Sequence, residues 1–422
     1  MLFFSPWVLE WPITVQGLDC GDVKLRLADG LALISVAAYA LAGWPGRARL
    51  RQSPLKVYAL TLSALVVFAA SSVLWAASGG IVLAFTVRLV WWIAIALRVA
   101  CDDVQPRLMA VALLCGLLLQ AAIGIAQFGV QHQLGLSILG ELPLDLAYPA
   151  ISVVSAGGPP LIRLYGLSGH PNVIGGFAAI ALLLGMGLLR ERRTLWWAAW
   201  LIGLMALLLT FSRSAALGLL IGLAAFSLMR RPNRQRAIGL IVSGGSVIGI
   251  FALLFAPFLI ARVSGEVAIE QVSIDERVEQ TALAWQLFSD HPLTGVGFGN
   301  FTQYNPPAAA GAPPQRAHNV PLLIASELGL PGLLLWLISV GAVIVAGVRS
   351  GHATTEIWPS LLMSALIAIL VISLFDYYWW TSSLGVYVWA TISGALLAQA
   401  VTRSTRNGVP SIGVVSNSRA AR

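Results

Sequence analysis

Leu195–Met229 reads LWWAAWLIGLMALLLTFSRSAALGLLIGLAAFSLM, and the way this stretch folds decides the architecture of the chain. It is apolar almost throughout, so periodicity cannot separate a buried face from a wet one. Length can. As one helix it would run about 52 Å at 1.5 Å per residue, far beyond the ~30 Å of a bilayer's hydrocarbon. Ser212-Arg213-Ser214 sits at its middle, where a charge would cost several kcal/mol in lipid. The stretch must therefore break near Phe211–Arg213 and turn back. Two spans result, with Arg213 at a membrane boundary.

The rest of the chain agrees with a bilayer as its solvent. Hydrophobic residues make up 58% of the 422 and charged residues 10%, against roughly 25% charged in a soluble domain. Mean hydropathy is +0.83. Apolar runs lie near 28–44, 57–77, 81–98, 108–129, 172–189, 195–211, 214–229, 237–261, 320–347, 357–374 and 382–401. Residues 1–16 are a further candidate, weakened by Glu10 and Pro12. The expectation is an all-α, polytopic membrane protein of about 11–12 transmembrane helices, a single multi-pass domain over 1–422. MLFFSPWVLEWPITV has no basic n-region and no A-x-A site, so no cleavable leader is expected. Cys20, Cys101 and Cys115 show neither zinc-type nor disulfide-framework spacing.

The net charge of +8 looks at first like a signal for nucleic acid. Its distribution argues against that partner. GRARLRQSPLK (46–56), RERR (190–193), RRPNRQR (230–236), RSGH (349–352) and the tail 403–422 are short and basic. Threading the spans puts all of them on one side, the cytoplasm by the positive-inside rule. The opposite side receives two long loops, about 130–171 and 262–318. SIDERVEQTALAWQLFSDHP (273–292) in the second reads as an amphipathic helix through Val278, Leu283, Trp285, Leu287 and Phe288, ended by Asp290-His291-Pro292. TGVGFGNF then turns on its glycines, and NPPAAAGAPPQ cannot continue a helix.

Polar groups gather on the side of the long loops: Arg163 to Asn172 in RLYGLSGHPN, Ser212-Arg213-Ser214, Arg277, and Arg316-Ala317-His318-Asn319. An arginine at a membrane boundary can simply snorkel to headgroups. Arg163, Arg213, Arg277 and Arg316 run against the positive-inside bias, however, and an anionic substrate supplies a cause. A guanidinium offers a planar fork of donors matched to phosphate oxygens. His170 in GHPN reads as a turn and helix cap before it reads as a ligand, and His291 as a helix terminator. His132 has no supporting partner, and His352 lies on the other side. His318 is the stronger functional candidate, flanked by an arginine and an amide. Arg88 lies mid-span in IVLAFTVRLVWW and needs a polar cavity or a partner. Glu327, nine residues after His318, faces the same argument. A lone TGVGFGN offers no fourfold filter, and GxGxG after a loop helix is not a dinucleotide fingerprint. Asp102-Asp103 falls on the cytoplasmic side, and no acidic cluster has metal-ligand spacing. No metal and no cofactor is expected.

GLSGHPNVIGGFAAI, LLTFSRSAALGLLIGL, the span from Arg277 through HPLTGVGFGNF, and AHNVPLLIASELGLPGLLLWL follow one another in an order that resembles the O-antigen ligase and polymerase superfamily, over about residues 160–345. The ligase pattern H-[NSQ]-x9-G is matched by His318, Asn319 and Gly329, and R-x3-L by Arg213 and Leu217. The Thr-Thr that often follows is replaced by Leu330-Pro331-Gly332, which leaves ligase and polymerase both open. The resemblance implies a metal-independent glycosyltransferase of the cytoplasmic (inner) membrane with its site facing outward. Its donor would be a glycan on undecaprenyl diphosphate. Its acceptor would be a sugar hydroxyl on lipid A–core, in lipopolysaccharide biosynthesis, or on another glycan in a polymerase. A protein O-oligosaccharyltransferase shares this constellation. Arg213 and Arg277 are the expected catalytic cations with His318. Arg163, Arg316, Asn319, His170 and Arg88 are the expected substrate-binding residues. His318 either accepts the acceptor's proton or, as a cation, binds the diphosphate. A flippase or transporter for the same lipid is the competing class. It calls for charges through the interior, where this chain has chiefly Arg88 and Glu327.

Overall fold

The structure, a computed structural model, describes residues 2–4, 7, 10–12, 24–44, 46–102, 104–146, 151–191, 193–230, 234–264, 268–305, 315–351 and 356–407. Most of residues 1–16, the greater part of the proline-rich 305–315 stretch, His352 and the tail beyond Asn407 lie outside the described residues. With no water to satisfy them, backbone groups in lipid must pair within the segment, and every apolar run of the sequence is helical. The runs form α1 (Leu27–Leu41), α2 (Leu55–Ser71), α3 (Gly79–Cys101), α4 (Pro106–Val130), α5 (Pro171–Gly185), α6 (Thr194–Leu209), α7 (Arg213–Met229) and α8 (Arg234–Ser264). After α9 (Ala268–Asp290) and the short α10 (Phe301–Tyr304) come α11 (Val320–Gly351), α12 (Trp358–Ile372), the short α13 (Tyr378–Thr381) and α14 (Ser383–Asn407).

Among the described residues, seven helices are long and apolar enough to cross a membrane, while α1, α6, α7 and α12 are apolar but shorter. The protein is an all-α polytopic membrane protein. Strands among the described residues are confined to two antiparallel pairs, β1 (Glu10–Pro12) with β2 (Lys24–Arg26) and β3 (Val153–Val154) with β4 (Leu161–Ile162).

Burial separates the centre of the bundle from its rim. The α5 span is 94% buried and packs on α4, α6, α7 and α12. The α8 span is 17% buried and leans chiefly on α6. The expected break falls between Leu209 and Arg213. Phe211 adopts a left-handed φ of 50°, and Ser212 caps α7 by accepting the Ala215 amide at 3.4 Å. Phe211 holds this costly conformation inside an aromatic cluster, its ring 5.3 Å from Phe251, 5.8 Å from Phe255 and 6.4 Å from Phe258.

The loop helix differs from its expected pattern. It runs from Ala268, and its apolar residues divide between two faces. Gln280, Ala284 and Leu287 are buried, whereas Val278 and Trp285 are 62% and 61% exposed. At about 100° per residue, Val278 and Trp285 sit about 200° round from Gln280 and Leu287, so one stripe cannot hold them all. A second difference lies in α11. The apolar run reads as unbroken but interrupts at Gly329 (φ 63°, ψ −168°), two residues before Pro331.

Candidate functional site

The last carbonyls of a helix have no partner within it and carry partial negative charge. At the C-terminal end of α12 these orphans become the hub of the site. Ser373 O accepts the Val320 amide at 2.8 Å. Leu374 O accepts Asn319 Nδ2 at 3.3 Å, and Phe375 O accepts Arg277 Nη1 at 3.5 Å. Next in sequence, Asp376 accepts Ser214 Oγ on Oδ2 at 2.5 Å and Asn172 Nδ2 on Oδ1 at 3.1 Å. Four successive residues of one turn thus fasten the starts of α11, α7 and α5 and the middle of α9. Gly176 makes room for the turn, since a Cβ there would meet the Tyr378 hydroxyl.

Asp376 is 3% exposed. Burial pushes its carboxyl up, while Arg277, then the bonds from Ser214 and Asn172, and Arg163 pull it back. Behind it stands Arg163, buried and bonded through each of its three guanidinium nitrogens. Its Nε donates to Thr210 O at 2.6 Å, Nη1 to Ser152 Oγ at 2.6 Å and Nη2 to Asn172 Oδ1 at 2.7 Å. Arg163, expected to bind substrate, spends these bonds on the α6–α7 break and on Asn172 and is not among the residues that line the cavity.

At Phe375, the residue before Asp376, opens a cavity of about 730 Å³ whose lining includes Arg213, Arg277, Leu217, Val278, Trp285 and Phe375. Arg213 begins α7 and Leu217 lies one turn on. Across from them Ile274, Val278, Thr281 and Trp285 recur along the outward face of α9. The two cations therefore stand in a wall that is otherwise mostly apolar.

His318 is not among the residues that line this cavity; it stands just before α11, on the far side of Arg277's helix from the lining face. Its Nδ1 is 2.7 Å from Gln280 Oε1, and its ring meets Tyr377 edge-on at 5.0 Å. Gln280 Nε2 in turn donates to Gln315 Oε1 at 3.1 Å. That arrangement leaves an oxygen facing the imidazole, so Nδ1 carries the proton and Nε2 the lone pair. Burial first, and the charge of Arg277 second, push the imidazole from 6.5 down to about 3. At neutral pH this histidine is uncharged. Of the two chemistries open to it in the sequence, proton acceptance fits a neutral imidazole.

The remaining sequence candidates are scattered. Asn319 takes the Leu322 amide at 2.9 Å, as a cap does, and stays with the hub. His170 caps α5, accepting the Asn172 amide at 3.1 Å, which realises the plainer of its two readings. Arg316 is buried, its guanidinium 5.1 Å over the Phe85 ring. Arg88 donates to Thr381 O and lies 5.7 Å over the same ring. None of these four lines the cavity. His132 and His291 are exposed. Asp376 and Gln280 were missed. The signal for Asp376 was available: a lone carboxylate in FDYYWW, in a turn that threading puts at the same end as Arg213. Among the described residues no group of three or more His, Cys, Asp or Glu is placed to hold a metal.

Residues 197–337 match a protein-family model described as O-antigen ligase. The match begins in α6 and ends in α11, so it spans Arg213, Arg277, Arg316 and His318 and leaves Asn172 and Asp376 outside. No curated protein matches the chain.

Proposed function

We propose, from the premise that the O-antigen ligase region over residues 197–337 places this chain in the O-antigen ligase/polymerase superfamily, that it transfers a glycan from a polyprenyl diphosphate to a sugar hydroxyl. The observation that carries the reading is the pairing of Arg213 and Arg277 in an otherwise mostly apolar cavity wall. An amphiphile whose phosphates adjoin hydrocarbon matches both halves of that wall. A soluble sugar nucleotide would waste the apolar half.

The chemistry follows from the groups present. The acceptor hydroxyl oxygen attacks the anomeric carbon, and the bond from that carbon to the diphosphate oxygen breaks. The hydroxyl proton passes to His318 Nε2, with Gln280 holding the ring in the required tautomer. Negative charge grows on the departing diphosphate, where Arg213 and Arg277 stabilise it without reorganising. Binding also changes His318. A diphosphate beside Arg277 offsets the positive charge that depresses the imidazole, so the base becomes stronger as the substrate arrives. Asp376 and Arg163 act behind the site as positioning residues.

We assign the cavity to the outer face of the cytoplasmic membrane, because the short basic loops fall at the opposite ends of the spans. O-antigen ligation to lipid A–core is the reaction proposed. The test is reconstitution of the purified protein with a lipid-diphosphate glycan and either lipid A–core or a second lipid-linked glycan. Glycan attached to lipid A–core supports ligation, chain growth on the second lipid points to polymerisation, and release of neither product refutes transfer.

A further inference from the structure

Two faces of α9 meet different surroundings. Ile274, Val278, Thr281 and Trp285 line the cavity. Gln280 stands about 130° round the helix from them, at about 100° per residue, and meets His318. Arg277 falls between the two faces. A sugar hydroxyl that is to reach the imidazole therefore comes from outside the cavity, past groups of another kind.

Those groups are uncharged amides joined in a chain. Gln280 Nε2 donates to Gln315 Oε1 at 3.1 Å, and Asn305 Nδ2 donates to Gln315 O at 2.9 Å. An amide side chain has a donor end and an acceptor end. Gln315 has engaged its oxygen and keeps Nε2; Asn305 has engaged its nitrogen and keeps Oδ1. Among the described residues neither of these two atoms has a hydrogen-bond partner, and neither is sealed from solvent. The Tyr377 ring, 5.0 Å from the imidazole, adds apolar surface beside them.

Asn305 is held in place from below. The break in α11 leaves two carbonyls without helical partners, because Leu330 N turns to Pro292 O at 2.7 Å and Pro331 has no N–H. Val296 N and Gly297 N take them, donating to Ser326 O at 3.0 Å and Glu327 O at 2.9 Å. α10 and Asn305 follow directly from that anchored loop. No cation joins the amides: Arg316 is buried with its guanidinium over Phe85, and Arg277 lines the cavity.

We propose that Gln315 and Asn305, with Tyr377 beside His318, bind the acceptor glycan through its hydroxyls, on the side of α9 turned away from the donor cavity. The proposal rests on the glycan-transfer reading for the identity of its ligand. Neighbouring hydroxyls of a sugar ring accept and donate at once, which one amide N–H and one amide oxygen match. The ring's C–H face rests against Tyr377. With no free guanidinium in the set, recognition is of hydroxyls and not of phosphate.

The test uses the full chain in nanodiscs without donor. Binding of core oligosaccharide freed of lipid A is measured by saturation-transfer NMR, in phosphorylated and dephosphorylated forms. Gln315→Glu keeps the oxygen that Gln280 uses and removes the open donor; Asn305→Leu removes the open acceptor. Each should raise Kd about three- to tenfold, the worth of one hydrogen bond. Trp285→Ala, in the cavity wall, should not. Both forms of the oligosaccharide should bind alike, with little dependence on salt. If Asn305→Leu fails to insert, Gln315→Glu decides. Unchanged binding in Gln315→Glu overturns the subsite, as do weakening by Trp285→Ala alone, a need for phosphate on the glycan, or no binding to the wild-type protein at about 10 mM. If the binding pattern holds while the wild-type protein transfers nothing, the enzymatic reading falls and the subsite stands. If transfer proceeds with acceptor KM unchanged in Gln315→Glu, the subsite falls and the enzymatic reading stands.

Discussion

Replacing Arg277 by methionine separates its two roles. As one of the cavity's two cations, it should supply transition-state charge stabilisation comparable to a single oxyanion-hole donor, so kcat should drop about 10²- to 10³-fold. As a neighbour of His318, it should also shift a pH profile. Arg277 and Gln280 are three apart on α9, with side chains about 5–6 Å from each other, and Gln280 holds the imidazole. At roughly 6–8 Å and an effective dielectric of ~20, a unit charge contributes about 2–3 kcal/mol, or about 1.5–2 pH units. A nearby cation disfavours the imidazolium, so its removal raises the histidine. Burial, the larger cause, remains and prevents full return to 6.5. In the wild-type protein kcat/KM should stay flat down to about pH 4, since this ratio reports the free enzyme's base. In the variant the residual rate should halve near about pH 5. The measurement is initial rate against pH at sub-saturating donor for both proteins, so that any titration of the donor cancels. An unmoved acid limb in Arg277→Met would refute the argument, as would a wild-type limb near 6.5.

Three further outcomes are expected. His318→Ala and Arg213→Ala should each abolish transfer while insertion stays normal; near-native transfer by either purified variant would remove it from the mechanism. Asp376→Ala leaves Ser214 and Asn172 as buried donors without their acceptor, at about 1–3 kcal/mol each. It should lower thermal stability, whereas Asp376→Asn should fold better yet still lose kcat; an active, destabilised alanine variant would make Asp376 purely structural. Chelation of divalent metal should leave the rate unchanged, and an absolute requirement for added Mg²⁺ or Mn²⁺ would contradict the metal-free chemistry.

What the sequence revealed and what it hid follow from the physics of each signal. The break at Phe211–Arg213 was legible because a span has a length limit. No such limit flags Gly329, since glycine and proline are tolerated inside apolar segments when neighbours supply hydrogen bonds, and the supplier here lies some thirty residues earlier in the chain. Arg163 and Arg213 both flank a span, and nothing local says that one is walled in by Thr210, Ser152 and Asn172 while the other opens on a cavity. The faces of α9 were misjudged because apolar residues were counted together, although two turns of helix put Val278 beside Trp285 and opposite Leu287. Asp376 was overlooked because an isolated carboxylate lacks a motif, even though its position in the threading was informative.

The arrangement of charge also gives Arg277 partners within the protein. Arg277 is bonded to the Phe375 carbonyl and faces the Asp376 carboxylate, itself held by Ser214, the residue after Arg213. The cavity therefore holds two guanidinium charges beside a buried acid whose carboxyl is pushed up by burial. On the proposed function, a diphosphate diester brings two negative charges and competes with that acid for Arg277. The acid, deprived of its cation, then binds a proton more tightly. On that reading, positive charge is organised before the donor arrives and is matched once the donor is bound. A headgroup phosphate with a single negative charge gains less from the same exchange, which disfavours the abundant lipids surrounding the site.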